Sequence, residues 1–437
     1  MKLPLANAIF LAAAVSVAAA GHSILDRGDA FFQSGDFPQA ERSYSAALVR
    51  AAGSPRLEAR MGLLALFSNH FSDAESHLMN AAVPGPEERI VKNMLGELFY
   101  RQDNFAAAAK WFRAAGSDYR AKPLEAFGAS QPYRIEGPTE THLPFVITDP
   151  LPIVRARVNG GEPLDFLVDT GASEVVIDNR VALNLGIEPS SSVSTLYLGG
   201  EEGQLQESRV GSLTIGDFVV QDVPVGIRPL PQFAGRKLSG VIGTVLLYHF
   251  LPTLDYPGGE LILRRRSPDA TEQLEARAAA QKQPEVPFWM AGDHYIVARG
   301  RVNNASPTLL YVATGIAGFG FVCPTSTIQE AHIDLSGTSL LLPANQGGAG
   351  TNQFIVDTLS LGAVTAEHVR GLAGAFPSFL EHSLGFRIGG MVSHQFFRPY
   401  ALTLDFDAMR LYLAAPETAF RPSFEPAPRM QTAVNPN

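Results

Sequence analysis

An internal duplication constrains this chain more than any other feature. Arg157-Val158-Asn159 recurs as Arg301-Val302-Asn303, an offset of 144 residues, and Pro163 and Val168 recur as Pro307 and Val312 at the same offset. Gly216 recurs as Gly362 within Leu359 to Gly362 at an offset of 146, and Thr253-Leu254-Asp255 recurs as Thr403-Leu404-Asp405 at 150. A drift of a few residues is what loop insertions produce. The chain is therefore read as two tandem lobes of one fold, 143–266 and 288–415. A polar, helix-prone linker, 267–287, joins them. Each lobe reads as mainly β. Ile153 to Asn159 is a strand, Asn159-Gly160 a tight turn, and Asp165 to Val168 a buried strand. Gly and Pro together make about 16% of the chain, from 40 and 31 of 437 residues, against an ordinary level of about 12%. Many turns, and so much β structure, are expected.

A second periodicity occupies residues 23–117. Gly28, Gly62 and Gly96 are 34 apart, as are Phe37, Phe71 and Phe105; Ala40, Ala74 and Ala108; and Ala47, Ala81 and Ala115. Tyr44, Leu78 and Phe112 fill a further column with large apolar groups. The pattern is that of stacked helical hairpins. A small residue marks the close approach of two helices, and a large one four positions after the alanine fills a groove against the next pair. Asp36-Phe37, His70-Phe71 and Asn104-Phe105 mark the turns. The three copies resemble the tetratricopeptide repeat, which implies either a surface for a protein or peptide partner or a cap on the next domain. Residues 118–142 read as a linker. At about 150 residues per domain, 437 residues accommodate these three units.

Charge and motifs remove several functions. Asp and Glu outnumber Lys and Arg by 43 to 34, so nothing concentrates positive charge for nucleic acid. Arg264-Arg265-Arg266 is read as a solvated strand edge. The lone Cys323 excludes an intrachain disulfide. The histidines form no zinc-like pair, and neither a phosphate loop nor a GxSxG elbow occurs around Ser173 or elsewhere. At the N-terminus, Lys2, an apolar run to about Val17 and Ala18-Ala19-Ala20 read as a signal peptide over 1–20. A periplasmic or secreted protein with no stable membrane span after cleavage is expected; an uncleaved membrane anchor is the alternative. The tail, 416–437, is expected to fray.

Chemistry concentrates at Asp169-Thr170-Gly171-Ala172-Ser173, after the apolar strand. Thr170 is placed to bond across a lobe interface, Gly171 to turn the backbone, and Ala172 and Ser173 to leave room beside the carboxylate. Tyr197, Gly199 and Gly200 follow in a Gly-rich hairpin tip, and Gly240-Val241-Ile242-Gly243 is a later apolar pair between glycines. This order resembles the retropepsin-like bacterial aspartic peptidases over about 143–263. The resemblance implies a flap at Tyr197, Gly199 and Gly200 and packing of 240–243 beside the Asp loop. The fold class implied is a multidomain one: all-α tetratricopeptide-like repeats followed by two mainly-β pepsin/retropepsin-like acid-protease lobes. The resemblance implies Asp169 as the catalytic residue, water as the nucleophile, peptide or protein as substrate, and no metal or cofactor.

The second copy departs from the pattern. Ala313-Thr314-Gly315 stands opposite Asp169-Thr170-Gly171, so a methyl group replaces the second carboxylate. Aspartic peptidases use two carboxylates that share a proton, one as base and one as acid. Gly389-Gly390-Met391-Val392 is read as the altered counterpart of 240–243. Asp357 is out of frame and reads as a surface strand residue, and 345–350 as a second flap or a loose hairpin. Three readings stand. In the first, a homodimer pairs two copies of Asp169, which makes an endopeptidase with lobe 2 as an accessory. Alternatively, the lobes pair within the chain and form a pseudopeptidase that binds extended peptide by strand addition. Weak hydrolysis by Asp169 alone is the third.

Overall fold

The computed structural model describes residues 24–196, 202–233, 236–335, 339–340, 351–377 and 379–416. The helical array comprises α1 (24–33), α2 (Phe37–Arg50), α3 (Pro55–Phe67), α4 (Phe71–Ala81), α5 (Glu88–Tyr100), α6 (Phe105–Ala114) and α7 (Asp118–Glu125). Its glycine column has a steric cause. A Cβ at Gly28, Gly62 or Gly96 would lie 2.5, 2.7 or 2.4 Å from Tyr44, Leu78 or Phe112. The large residue thus packs on the glycine of its own hairpin, where the spacing alone had suggested the next pair. Ala40, Ala74 and Ala108 are fully buried beside these contacts. The Asp36 carboxylate caps α2 by accepting from the Gln39 amide at 3.4 Å, and Asn104 caps α6 by accepting from Ala107 at 3.1 Å. Both satisfy amide groups that a helix start leaves unpaired.

The segment read as a linker, 118–142, carries regular structure: α7 and the strands Arg134–Glu136 and Glu140–Pro144. The first pairs with Phe218–Arg228 at the edge of lobe 1, an eight-stranded sheet. The second pairs with Glu260–Arg265. The second linker, 267–287, forms the helix Pro268–Ala280, capped by the Ser267 hydroxyl. It then enters the strand Glu285–Ala291. Leu274 and Ala278 of that helix pack on Leu251 and Tyr412.

The lobes join through six antiparallel strands. Their order is Glu285–Ala291, Arg410–Ala414, Ala401–Asp405, Phe250–Asp255, Glu260–Arg265 and Glu140–Pro144. Three come from each lobe, and the two halves are related about the pair Thr253 and Thr403, whose buried hydroxyls lie 2.8 Å apart. The Thr-Leu-Asp duplication is therefore the seam of the molecule. The arginine run at its edge is tied down, not solvated. Arg264 meets Glu140, Arg265 donates to the carbonyls of Ile135, Gly137 and Pro138, and Arg266 bridges to Asp407 of lobe 2.

The array packs on both lobes. Phe37 of α2 meets Trp289 and Phe386 of lobe 2, with ring centroids 5.3 and 5.0 Å apart. Phe105, Phe112 and Phe127 join a core cluster that runs through both lobes. Among the described residues no helix is long and apolar enough to cross a membrane.

Candidate active site

Two pairs of parallel strands build the site. In lobe 1, Leu164–Val168 runs beside Gly240–Ile242, with Val168 opposite Ile242. In lobe 2, Thr308–Val312 runs beside Gly390–Val392, with Val312 opposite Val392. This register corrects the sequence alignment of the second glycine signature by one residue. The counterpart of Gly240-Val241-Ile242-Gly243 is Gly390-Met391-Val392-Ser393, because strand pairing fixes the equivalence and the extra glycine at 389 precedes the strand. Backbone bonds agree: the Asp169 amide donates to Ile242 at 3.0 Å and the Ala313 amide to Val392 at 3.0 Å.

The two loops meet at their threonines. Thr170 Oγ1 donates to the Val312 carbonyl at 2.9 Å and Thr314 Oγ1 to the Val168 carbonyl at 3.1 Å. Each hydroxyl also accepts the opposite threonine amide, at 3.0 and 3.1 Å. Both side chains are fully buried. The interaction is made within one chain, between lobe 1 and lobe 2.

Asp169 is partly buried beside this grip. Its carboxylate accepts from the Gly171 amide at 2.7 Å and from the Gly315 amide across the interface. A Cβ at Gly315 would lie 2.1 Å from the carboxylate, and one at Gly171 would lie 2.8 Å from the Ala313 methyl. Only glycine permits either approach. Burial raises the Asp169 pKa above the ordinary range, against the pull of the two amides and of His294 and Arg228. Ala313 is buried in the mirror position. The Tyr311 hydroxyl, two residues before it, crosses to donate to the Gly171 carbonyl at 3.0 Å.

The remaining motif residues shape the loop. Gly240 lies against the Phe166 ring and Gly243 against the Ser173 carbonyl, where Cβ atoms would come within 2.1 and 2.3 Å. Thr244 Oγ1 donates to the Thr170 carbonyl. Val241 belongs to an apolar wall with Leu151, Leu167 and Leu230, against which Ala172 packs. Ser173 does not leave open room: its hydroxyl donates to Asp293 of lobe 2 at 2.8 Å. Asp357 is exposed on the strand Thr351–Leu361. Tyr197, Gly199 and Gly200, and 345–350, lie outside the described residues. The strands flanking the first of these pair as a hairpin, Leu196 with Glu202.

Sequence reasoning did not single out Tyr100, Glu174, Asp293 or Tyr311. The Tyr100 hydroxyl of α5 donates to Glu174 at 2.9 Å. Burial pushes the Glu174 carboxyl up to about 7. Burial acts on Asp293 in the same direction, but His294 and Arg120 hold it well below its ordinary range. Asp293 carried one available signal, since it lies 144 residues after Asp149 in the duplication. The helix–lobe contact of Tyr100 has no counterpart in either repeat pattern.

Residues 154–246 match the aspartyl protease family model, and residues 25–64 and 59–123 match the tetratricopeptide repeat model. Among solved structures, a retropepsin-like aspartic protease from Rickettsia conorii is similar at 22% identity over 30% of this chain and 95% of that one, with a TM-score of 0.23. No curated protein matches the chain. The chain thus carries an aspartyl-protease-like lobe, duplicated in tandem, behind an array of tetratricopeptide repeats.

Proposed function

We propose that the cleft between the lobes binds extended peptide and that the chain is a pseudopeptidase. The observation that carries this reading is the pairing of Asp169 with Ala313 across the intrachain threonine grip. A dyad needs one carboxylate to deprotonate water and a second, protonated, to polarise the scissile carbonyl. Asp169 supplies one such group, and the methyl of Ala313 supplies none. The homodimer reading requires lobe 1 to exchange its partner. It would break four buried threonine bonds and the Thr253–Thr403 strand pairing, each bond worth about 1 kcal/mol net. One observation favours weak hydrolysis as a second reading: Asp169 keeps both backbone donors and a raised pKa, as a general base would.

The basic, apolar and small-residue order of 1–20 supports export as part of this proposal. The test is affinity selection from a random decapeptide mixture at pH 5 and pH 7, with the solution mass measured in parallel. A monomer that retains intact peptides supports the reading. Cleavage by the wild type that Asp169→Asn abolishes overturns it.

A further inference from the structure

The pseudo-twofold relation defines two flanks of the cleft. Asp169 and Ala313 sit at its centre. The residues four positions on each reach the opposite lobe: the Ser173 hydroxyl donates to Asp293 of lobe 2, and Ala317 packs on the lobe 1 cluster of Leu151, Leu167 and Leu230. By the pseudo-twofold relation they are assigned to the two ends of the cleft. These flanks are built differently.

On the Ser173 flank, Tyr100 at the end of α5 donates to Glu174 of lobe 1, while Ser173 donates to Asp293 of lobe 2. Arg101, the next residue of the array, is 5% exposed. Its guanidinium donates to the Met290 carbonyl at 2.6 Å and to the Gly292 carbonyl, in the turn that carries Asp293. Two adjacent residues of the array thus hold both lobes at one end of the cleft. The wall continues upward. Phe127, just beyond α7, lies under the Arg209 guanidinium at 5.2 Å, at the base of the hairpin Ser191–Leu196 and Glu202–Ile215. A cavity of about 210 Å³, lined by Leu124, Phe127, Glu174, Ser190 and Glu207, lies in this wall.

On the Ala317 flank the counterpart of Asp293 is Asp149, which pairs with Arg398 at 3.1 Å. Both side chains are about half exposed, at 48% and 46%. No helix of the array reaches this pair among the described contacts.

We propose that the helical array closes the Ser173 end of the cleft, so that the site takes a peptide chain end there and excludes a continuous chain. Tyr100 and Arg101 are the positioning residues of this wall. The proposal rests on the peptide-cleft reading and adds its substrate class: termini and short segments rather than internal stretches of a protein. A fixed wall of this kind builds specificity by clash against the excluded ligand.

The experiment uses the full chain and a random decapeptide library in three forms: both ends free, the amino end fused to a folded carrier, and the carboxyl end fused to the same carrier. Binding is read by mass spectrometry of retained peptides. Free peptides are expected to bind, one fusion to bind comparably, and the other to lose at least tenfold. A photo-crosslinker at the sensitive end is expected to label 97–127. Equal binding of both fusions, or labelling confined to the Ala317 side, overturns the closed end and leaves the peptide cleft standing. Failure of all three forms to bind overturns both.

Discussion

The Thr170 amide donates to the Thr314 hydroxyl at 3.0 Å, and the Thr314 amide donates to the Thr170 hydroxyl at 3.1 Å. This reciprocal bond persists although only one of the two loops retains its carboxylate. It separates two tasks that the motif combines. Docking the lobes needs the threonines and glycines, whereas chemistry needs the aspartates.

Removing one threonine hydroxyl strands a buried amide and a buried carbonyl on the opposite loop. Thr314→Val is therefore expected to lower unfolding free energy by about 1–3 kcal/mol, with Thr170→Val similar by symmetry. Urea denaturation of both variants checks this. A double variant that costs the full sum of the two singles would speak against a shared grip.

Restoring the missing group is the direct test of the site. Ala313→Asp places a second carboxylate beside Asp169, where the two groups would share the Gly171 and Gly315 amides that Asp169 now holds alone. Like-charge crowding is expected to raise one of the two pKa values further. Peptide cleavage should appear at acid pH and vanish in Ala313→Asp/Asp169→Asn. Mass-spectrometric product analysis of a peptide mixture reads the outcome. A folded Ala313→Asp protein with no cleavage would show that more than this carboxylate is lost.

The glycine columns of the array are expected to tolerate no side chain. In Gly96→Ala the new methyl meets the Phe112 ring at 2.4 Å. Overpacking of about 1–3 kcal/mol outweighs the helix-propensity gain of about 1 kcal/mol, so Tm should fall. Gly85→Ala, with its nearest atom 4.0 Å away, is the control and should leave Tm level or slightly raised. Circular-dichroism melts distinguish the two.

Glu174 makes array docking sensitive to pH. Burial raises its carboxyl from 4.5 to about 7 in the folded protein. A group whose folded pKa is raised stabilises fully below its unfolded value and loses that stabilisation as pH rises through the folded one. Between about pH 4.5 and 7 stability should therefore decline. Tyr100, Asp293, Glu207 and Arg120 act on this carboxyl. Asp293, held low, acts in the opposite direction and only below 3.8. Asp169 is raised as well and adds to the decline. Glu174→Gln should flatten the part of the profile that is its own, read by melts at half-unit pH steps. An unchanged profile rejects the assignment.

The sequence by itself determined the units and their kinship. A 34-residue column of glycines is legible because helix contact leaves no room for a Cβ, and the clash at Gly28, Gly62 and Gly96 is that reason in atoms. The tandem lobes and the loss at position 313 are legible because a duplicated fold keeps its residues in register. Local matching failed at 389–393, where adjacent glycines offer two alignments and only pairing with Thr308–Val312 selects one. Tertiary structure alone decided the relation between units. The partner of lobe 1 proved to be lobe 2 of the same chain, and the array proved to hold both lobes, through Tyr100 on Glu174 and Arg101 on the Met290 carbonyl. Contacts such as Tyr100 with Glu174 join residues 74 apart that share no periodicity. Such contacts follow from how finished surfaces fit, which no residue pattern along the chain records.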